Sequence, residues 1–290
     1  MTTEGRLDVE LVRRGMARSR RHAVELVAAG RVTVDGVPAT KASSGTRADQ
    51  ELQVRDDDRD PGYASRAGFK LAGALDELER RWGLEAPSPR DRICLDAGAS
   101  TGGFTDVLLR RGARHVGAVD VGHDQLLPVL RDDPRVEVRD GVNVRTLVAG
   151  DMDPAPTLVV ADLSFISLTL VVPVLRAVAA RSAEYLLMVK PQFEVGRERL
   201  GSTGVVRSPA LRHAAVGAVA RAAVAEGLEP RDVVTSPLPG PSGNIEYFLW
   251  LKERASVSAG GGPGDDAIRA IIERGIGGGS DMTRTGGDDA

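Results

Sequence analysis

The sequence predicts an α/β protein: a doubly wound, mostly parallel sheet filling most of the chain, preceded by a small α+β unit. Three observations carry this. Between residues 93 and 190, short apolar runs ending in an acid or a lysine alternate with helical segments, the pattern of parallel βαβ units. The first run, Ile93-Cys94-Leu95-Asp96-Ala97, is followed by a glycine-rich turn, Gly98-Ala99-Ser100-Thr101-Gly102-Gly103, that feeds a helix. Residues 1–60 break the pattern, with two short helices and an alternating strand closed by an Asp-Gly turn. At 290 residues and 42% apolar content, the chain can bury one large core and one small one.

Composition narrows the class. The single cysteine, Cys94, lies in an apolar run, which excludes an internal disulfide and fits a reducing compartment. The N-terminus has no basic-plus-apolar leader and no apolar run nears the roughly 20 residues of a membrane span, so a cytoplasmic protein without membrane contact is expected. The net charge is −3, yet residues 1–47 carry nine Arg and Lys against five Asp and Glu, and local excess is what steers a polyanion. Lysines are few, at 41, 70, 190 and 252, against 34 arginines. Lysine can give up its proton in a buried site and arginine effectively cannot, so chemistry is one reason for a lysine to persist here.

In order along the chain, residues 6–14 place Leu7, Leu11 and Val12 on one side of a short helix ended by Gly15. Ser19 offers an N-cap for a second helix, Arg20 to Ala29, with Ala23, Leu26 and Val27 facing a core and Gly30 as the stop. Arg31 to Val37 reads as an alternating strand turning at Asp35-Gly36, and Leu52-Gln53-Val54 adds a last short strand. Arg13, Arg14, Arg18, Arg20 and Arg21 cluster at the helix junction, and with Arg6 before the first helix their guanidinium groups could grip RNA phosphates bidentately. The bland reading is a solvated charged face.

A charged Pro/Gly segment after Asp56 marks the domain boundary, giving an N-terminal domain over 1–60, a linker over 61–70 and a main domain over 71–254. An amphipathic helix runs through Leu71, Leu75 and Leu78 to Trp82. Gly98, Gly102 and Gly103 allow a tight turn and close approach of a ligand to a helix N-terminus, so a nucleotide-like cofactor could sit there. The spacing is not the G-x-G-x-x-G of dinucleotide sites. His115 to Asp120 reads as the second strand; an acid at its end lies where it could accept hydrogen bonds from ribose hydroxyls, or cap the next turn. Gly122–Leu130 is expected to be helical, 135–138 a third strand, 157–162 a buried strand ending in Asp162, and 168–180 a helix. Residues 184–189 form a fifth strand ending at Lys190-Pro191, followed by a long loop over 196–209 and a helix over 211–226. Residues 231–236 and 244–251 make a final strand pair that contains Glu246. From 255 to 290 the Gly/Asp-rich tail should be disordered apart from a weak helix at 265–274.

Lys70, Asp162, Lys190 and Glu246 are ionisable residues in segments that otherwise read as core or as ends of buried strands. Carboxyl ends of parallel strands carry the site, and a carboxylate within an apolar strand is costly unless paired. Taken singly, each could be a helix cap or a buried ion pair.

These residues carry a family resemblance. Asp96 to Phe104 resembles the D-x-G-x-x-x-G-G-F form of motif I in S-adenosylmethionine (SAM)-dependent methyltransferases of the FtsJ-like RNA 2′-O class. The N-terminal S-R-x-x-A-x-x-L-x-x-A-G-x-V-x-V-D-G pattern resembles the S4 RNA-binding domain. Ser65-Arg66 through Lys70-Leu71 resembles the start of the methyltransferase domain in the TlyA family, some of whose members are labelled haemolysins; the likeness covers roughly residues 6–252. It implies a seven-stranded SAM-methyltransferase sheet behind an S4 domain. It also implies a cofactor site built from Asp96, Gly98, Ser100, Thr101, Gly102, Gly103, Phe104, Asp120, Asp140, Asn143 and Asp162, with no metal. Arg66 would join the six N-terminal arginines on RNA. Lys70, Asp162, Lys190 and Glu246 match the K-D-K-E tetrad, which implies 2′-O-methylation of cytidine in 16S and 23S ribosomal RNA, with ribosomal subunits as partners. In that reading Lys190 is the general base, Lys70 stabilises negative charge on oxygen, and the two acids orient the lysines; exchanging the lysines' roles is equally compatible with the sequence. The segment Gly62-Tyr63-Ala64-Ser65 is less aromatic than in the family, and the tail is longer. The rival of another class is a non-catalytic ribosome-binding factor on a methyltransferase scaffold. The sequence does not fix an oligomeric state, with a monomer favoured.

Overall fold

A computed structural model of the chain describes residues 4–55, 60–201, 203–254 and 263–277. They divide into two compact units, 1–65 and 66–290.

In the first unit, β1 (Glu4–Arg6) leads into α1 (Leu7–Arg13), α2 (Arg20–Ala28), β2 (Val32–Val34), β3 (Val37–Pro38), β4 (Gly45–Arg47) and β5 (Leu52–Val54). The predicted cap holds: the Ser19 hydroxyl accepts from the His22 amide. Asp35 and Gly36 both take positive φ, as a two-residue hairpin turn between β2 and β3 demands. Leu7, Leu11, Ala23, Leu26, Val32 and Leu52 form the small core. The antiparallel β1–β4 pair was not legible, because Glu-Gly-Arg and Gly-Thr-Arg carry no apolar alternation.

In the second unit, α3 (Arg66–Trp82) precedes β6 (Ile93–Ala97), α4 (Gly103–Arg110), β7 (His115–Val119), α5 (Pro128–Arg131), β8 (Val136–Arg139), β9 (Leu158–Ala161), α6 (Val172–Val178), β10 (Glu184–Val189), α7 (Pro191–Glu194), α8 (Pro209–Ala225), β11 (Leu228–Thr235), β12 (Tyr247–Glu253) and α9 (Asp265–Gly277). The seven strands order as β11-β12-β10-β9-β6-β7-β8. β12 is antiparallel to both neighbours and the other pairs are parallel. The chain winds outward from β6 in one direction and from β9 in the other, so the topological switch lies between them. That crevice is where open α/β sheets bind ligands.

Five expectations need correction. The helix begins at Arg66, inside the segment read as linker, so Lys70 sits on a buried helical face. Over 122–130 only Pro128–Arg131 is helical: Gly122 donates its amide to the Asp120 carboxylate, Asp124 takes positive φ, and Pro128 sets the helix start. Leu168–Leu170 forms a 3₁₀ turn before α6, whose second residue is a proline without an amide to donate. Glu246 precedes β12 rather than lying within it. The tail helix is also more than a weak helix: Ile268 and Ile272 are buried with Val216, Val219 and Val233 in the main core. A Cβ on Gly275 would lie 2.1 Å from the Val233 carbonyl oxygen, so glycine permits that close docking. The remaining tail residues, 255–262 and 278–290, and residues 56–59 of the charged boundary segment lie outside the described residues.

Candidate active site

The glycine turn at the end of β6 packs tightly against its neighbours. Gly98 takes φ +91° and a Cβ there would stand 2.7 Å from the Asp162 carbonyl oxygen; Gly102, at φ +96°, would collide with Leu126 and Leu130. Both positions therefore need glycine, and Gly98 lets the turn abut the end of β9. Ser100 takes φ +48° and donates its amide to Asp120 Oδ2 at 2.8 Å, while its hydroxyl reaches Gln125. Thr101 is half-buried in the turn and Gly103 opens α4.

Asp96 is fully buried, and burial pushes its carboxyl up to about 7 against the Thr105 hydroxyl that donates to Oδ2 at 2.7 Å. Its Oδ1 is buried without a hydrogen-bond partner. An orphaned acceptor beside a cradle that Cβ atoms would fill fits a bound cofactor such as SAM, held by the 98–103 backbone and the acids around it. Asp120 uses its oxygens on the Ser100 and Gly122 amides, which fixes its carboxylate at the cradle's edge. Asp140 is tied to Arg131 at 2.6 Å, which holds its carboxyl below the usual range, and Asn143 caps the turn at Val144. Phe104 departs from expectation: it is 1% exposed and packs against Phe248, so its ring belongs to the core. Thr105, which sequence reasoning passed over, is the residue that holds Asp96.

The four dispersed ionisable residues meet as two ion pairs. Lys70 Nζ lies 2.5 Å from Glu246 Oε2, and Lys190 Nζ lies 2.6 Å from Asp162 Oδ1. The register explains the meeting. Val189 pairs with Tyr247 across the antiparallel β10–β12 ladder, so the residues just beyond, Lys190 and Glu246, emerge side by side at the carboxyl edge of the parallel strands. Gln192 joins the pairs by donating to Glu246 Oε1 at 3.4 Å, and Lys190 donates to the Ser164 hydroxyl at 2.8 Å. Lys190 and Glu246 line a cavity of about 600 Å³ with Ser164, Phe165 and Phe193, whereas Lys70 stands behind Glu246 at 6% exposure. Phe165 is 91% exposed with φ +64°, its ring 5.1 Å from that of Phe193. Ser164, Gln192 and Phe165 were missed because each reads as an ordinary loop or helix-start residue.

The N-terminal arginines divide into two kinds. Arg6 and Arg20 share the buried Asp8, whose carboxyl they hold at about 2, the Arg6 hydrogen bonds contributing most. Arg13 and Arg14 share Glu10, and Arg21 pairs with Glu25. Arg6, Arg13, Arg20 and Arg21 keep half or more of their side chains exposed, whereas Arg14 and Arg18 are only 20% exposed. Arg14 donates to the carbonyls of Ala48 and Gln50, and Arg18 to that of Tyr63, so these two brace the fold. Arg66 opens α3, half-buried. Among the described residues no group of His, Cys, Asp and Glu could hold a metal ion, and no helix is long and apolar enough to cross a membrane.

Residues 63–253 match the FtsJ-like methyltransferase family and residues 5–51 the S4 domain. The chain is 48% identical to the 16S/23S rRNA (cytidine-2′-O)-methyltransferase TlyA of Mycobacterium tuberculosis, over 95% of this chain and 100% of that protein. It is 35% identical to Hemolysin A of Brachyspira hyodysenteriae, over 84% of this chain and 98% of that one. A solved structure from Streptococcus thermophilus, described as a candidate hemolysin, superposes with a TM-score of 0.71 at 33% identity, covering 96% of this chain and 97% of its own.

Proposed function

The chain belongs to the TlyA family of FtsJ-like methyltransferases, and on that premise we propose that it methylates the ribose 2′-hydroxyl of cytidine in 16S or 23S ribosomal RNA, using SAM, in the cytoplasm. The observation that carries this reading is the pairing of two lysines with two carboxylates, Lys190 and Glu246 opening onto one cavity and Asp162 abutting Gly98 of the glycine turn. A ribose hydroxyl holds its proton well above neutral pH and attacks a methyl only as the proton leaves. SAM supplies an electrophilic methyl on a sulfonium. Lys190, facing the cavity, accepts the hydroxyl proton on its Nζ as the oxygen attacks; Asp162 and the Ser164 hydroxyl aim that Nζ. Lys70, shielded behind Glu246, fixes that carboxylate at the cavity wall. The position of Lys190 on the cavity supports it over Lys70 as the base.

The S4 domain supplies phosphate affinity through its exposed arginines, leaving orientation at the ribose to the cavity. Phe165 and Phe193 offer aromatic faces to a base lifted from its stack. The test is to incubate isolated small and large ribosomal subunits with protein and SAM and map 2′-O-methyl groups. New methylation at cytidine supports the reading. Stable binding to subunits with no methyl transferred would favour the non-catalytic ribosome-binding factor instead.

A further inference from the structure

Glu194 takes no part in the chemistry just described, yet it is a half-buried carboxylate bonded to Ser167, a residue of the cavity wall. It closes α7, one turn after Lys190. Its Oε2 accepts from the Ser167 hydroxyl at 2.5 Å and its Oε1 from the Leu168 amide at 2.8 Å. Burial raises its pKa, against both of those bonds. Such a group stays only where its hydrogen bonds offset the lost hydration.

The two loops it joins are those that carry the reactive groups. The β9 loop bears Asp162, Ser164 and Phe165; the β10 exit bears Lys190, Gln192 and Phe193. The loops meet at Asp162–Lys190 and Ser164–Lys190, then at the Phe165–Phe193 contact, and last at Ser167–Glu194. Phe165 holds a left-handed backbone that is strained for a non-glycine residue and persists only when its surroundings enforce it. Asp162 and Lys190 are fixed by their strands. Ser164 and Phe165 lie between strand end and clamp, and depend on both.

We infer that Glu194 is a positioning residue: its carboxylate, by binding Ser167 and the Leu168 amide, locks the β9 loop onto the β10 exit and so holds Ser164 and Phe165 in place for methyl transfer. The inference rests on reading the cavity as the methyl-transfer site, and its test has a readout that does not.

Full-length wild type, Glu194→Ala, Glu194→Gln and Ser167→Ala are compared by amide hydrogen exchange over residues 163–170, SAM affinity, and single-turnover methyl transfer to saturating ribosomal subunits. Glu194→Ala should speed exchange across 163–170 and slow transfer by about tenfold to a hundredfold, with SAM affinity changed less than about twofold. Glutamine can accept from the Leu168 amide and donate to the Ser167 oxygen, so Glu194→Gln should restore both exchange and rate to within about threefold. Ser167→Ala should be intermediate, and the Ser167→Ala/Glu194→Ala pair no worse than Glu194→Ala, because the two act through one link. Wild-type exchange or wild-type rate in Glu194→Ala overturns the inference, as does a rate loss that glutamine leaves in place after restoring protection. If Glu194→Ala fails to fold, unchanged exchange and rate in Ser167→Ala overturn it equally. If the wild type itself transfers no methyl, the fault lies with the reaction, and exchange still reports on the lock.

Discussion

Replacing Asp96 with asparagine separates what this carboxylate does to the fold from what it does for a cofactor. Asp96 is fully buried, and burial lifts its carboxyl from an ordinary 3.8 to about 7. A displacement of that size corresponds to about 4 kcal/mol disfavouring the charged form. Because the folded pKa is raised, the folded protein keeps a proton that the unfolded chain gives up. The stability this group contributes is full below pH 4 and is lost as pH climbs through about 7. Asparagine carries no such loss. It keeps an oxygen for the Thr105 hydroxyl but places an NH₂ where Oδ1 has no partner, costing about 1–3 kcal/mol. The net for Asp96→Asn at pH 8 is a gain of about 1–3 kcal/mol, or a Tm higher by roughly 2–10 °C for a domain of this size. SAM affinity should fall at the same time. Differential scanning fluorimetry from pH 5 to 8, with and without SAM, reads both effects. Melting curves of wild type and variant that run parallel in pH would refute the claim that Asp96 is held in a charge-hostile place.

Three further outcomes follow from the structure. Glu246→Ala leaves the Lys70 ammonium buried without its partner and should cost about 3–5 kcal/mol in urea unfolding, more than an exposed pair such as Arg21–Glu25, worth at most about 1 kcal/mol. Arg13→Ala and Arg20→Ala should weaken RNA binding and lower its salt slope by about one each with the fold intact, whereas Arg14→Ala and Arg18→Ala should lower the melting temperature of the N-terminal unit. Gly275→Ala should drive α9 off Val233, expose Ile268 and Ile272, and destabilise the methyltransferase unit by about 2–4 kcal/mol by chemical denaturation.

The parts of this molecule that the sequence made legible are those where residue type conflicts with surroundings. Lysines and acids at the ends of apolar runs, and glycines crowded after Asp96, announced strand ends and a tight turn. Which lysine pairs with which acid was not readable, because it depends on the β10–β12 register and on Lys70 lying one turn inside a helix rather than in a linker. Phe104 reads as a motif position, and only the fold shows its ring packed against Phe248. Gly122–Leu130 was expected to be helical, yet the hydrogen bond from the Gly122 amide to Asp120 and the positive φ of Asp124 keep 122–127 in a loop. α9 was underrated because Gly-rich neighbours hid two isoleucines at helical spacing. Glu194 gave almost no signal: a glutamate after Lys-Pro-Gln-Phe reads as solvent-facing until Ser167 folds beneath it.

Lys190 is the group proposed to take the ribose proton. Single-turnover methyl transfer by Lys190→Arg, alongside its SAM affinity and melting temperature, tests that most directly. Arginine can keep the ion pair to Asp162 but cannot release a proton, so transfer should fall by about 10²–10⁴-fold while SAM binding and stability stay near wild type. Transfer within a few-fold of wild type would contradict the assignment.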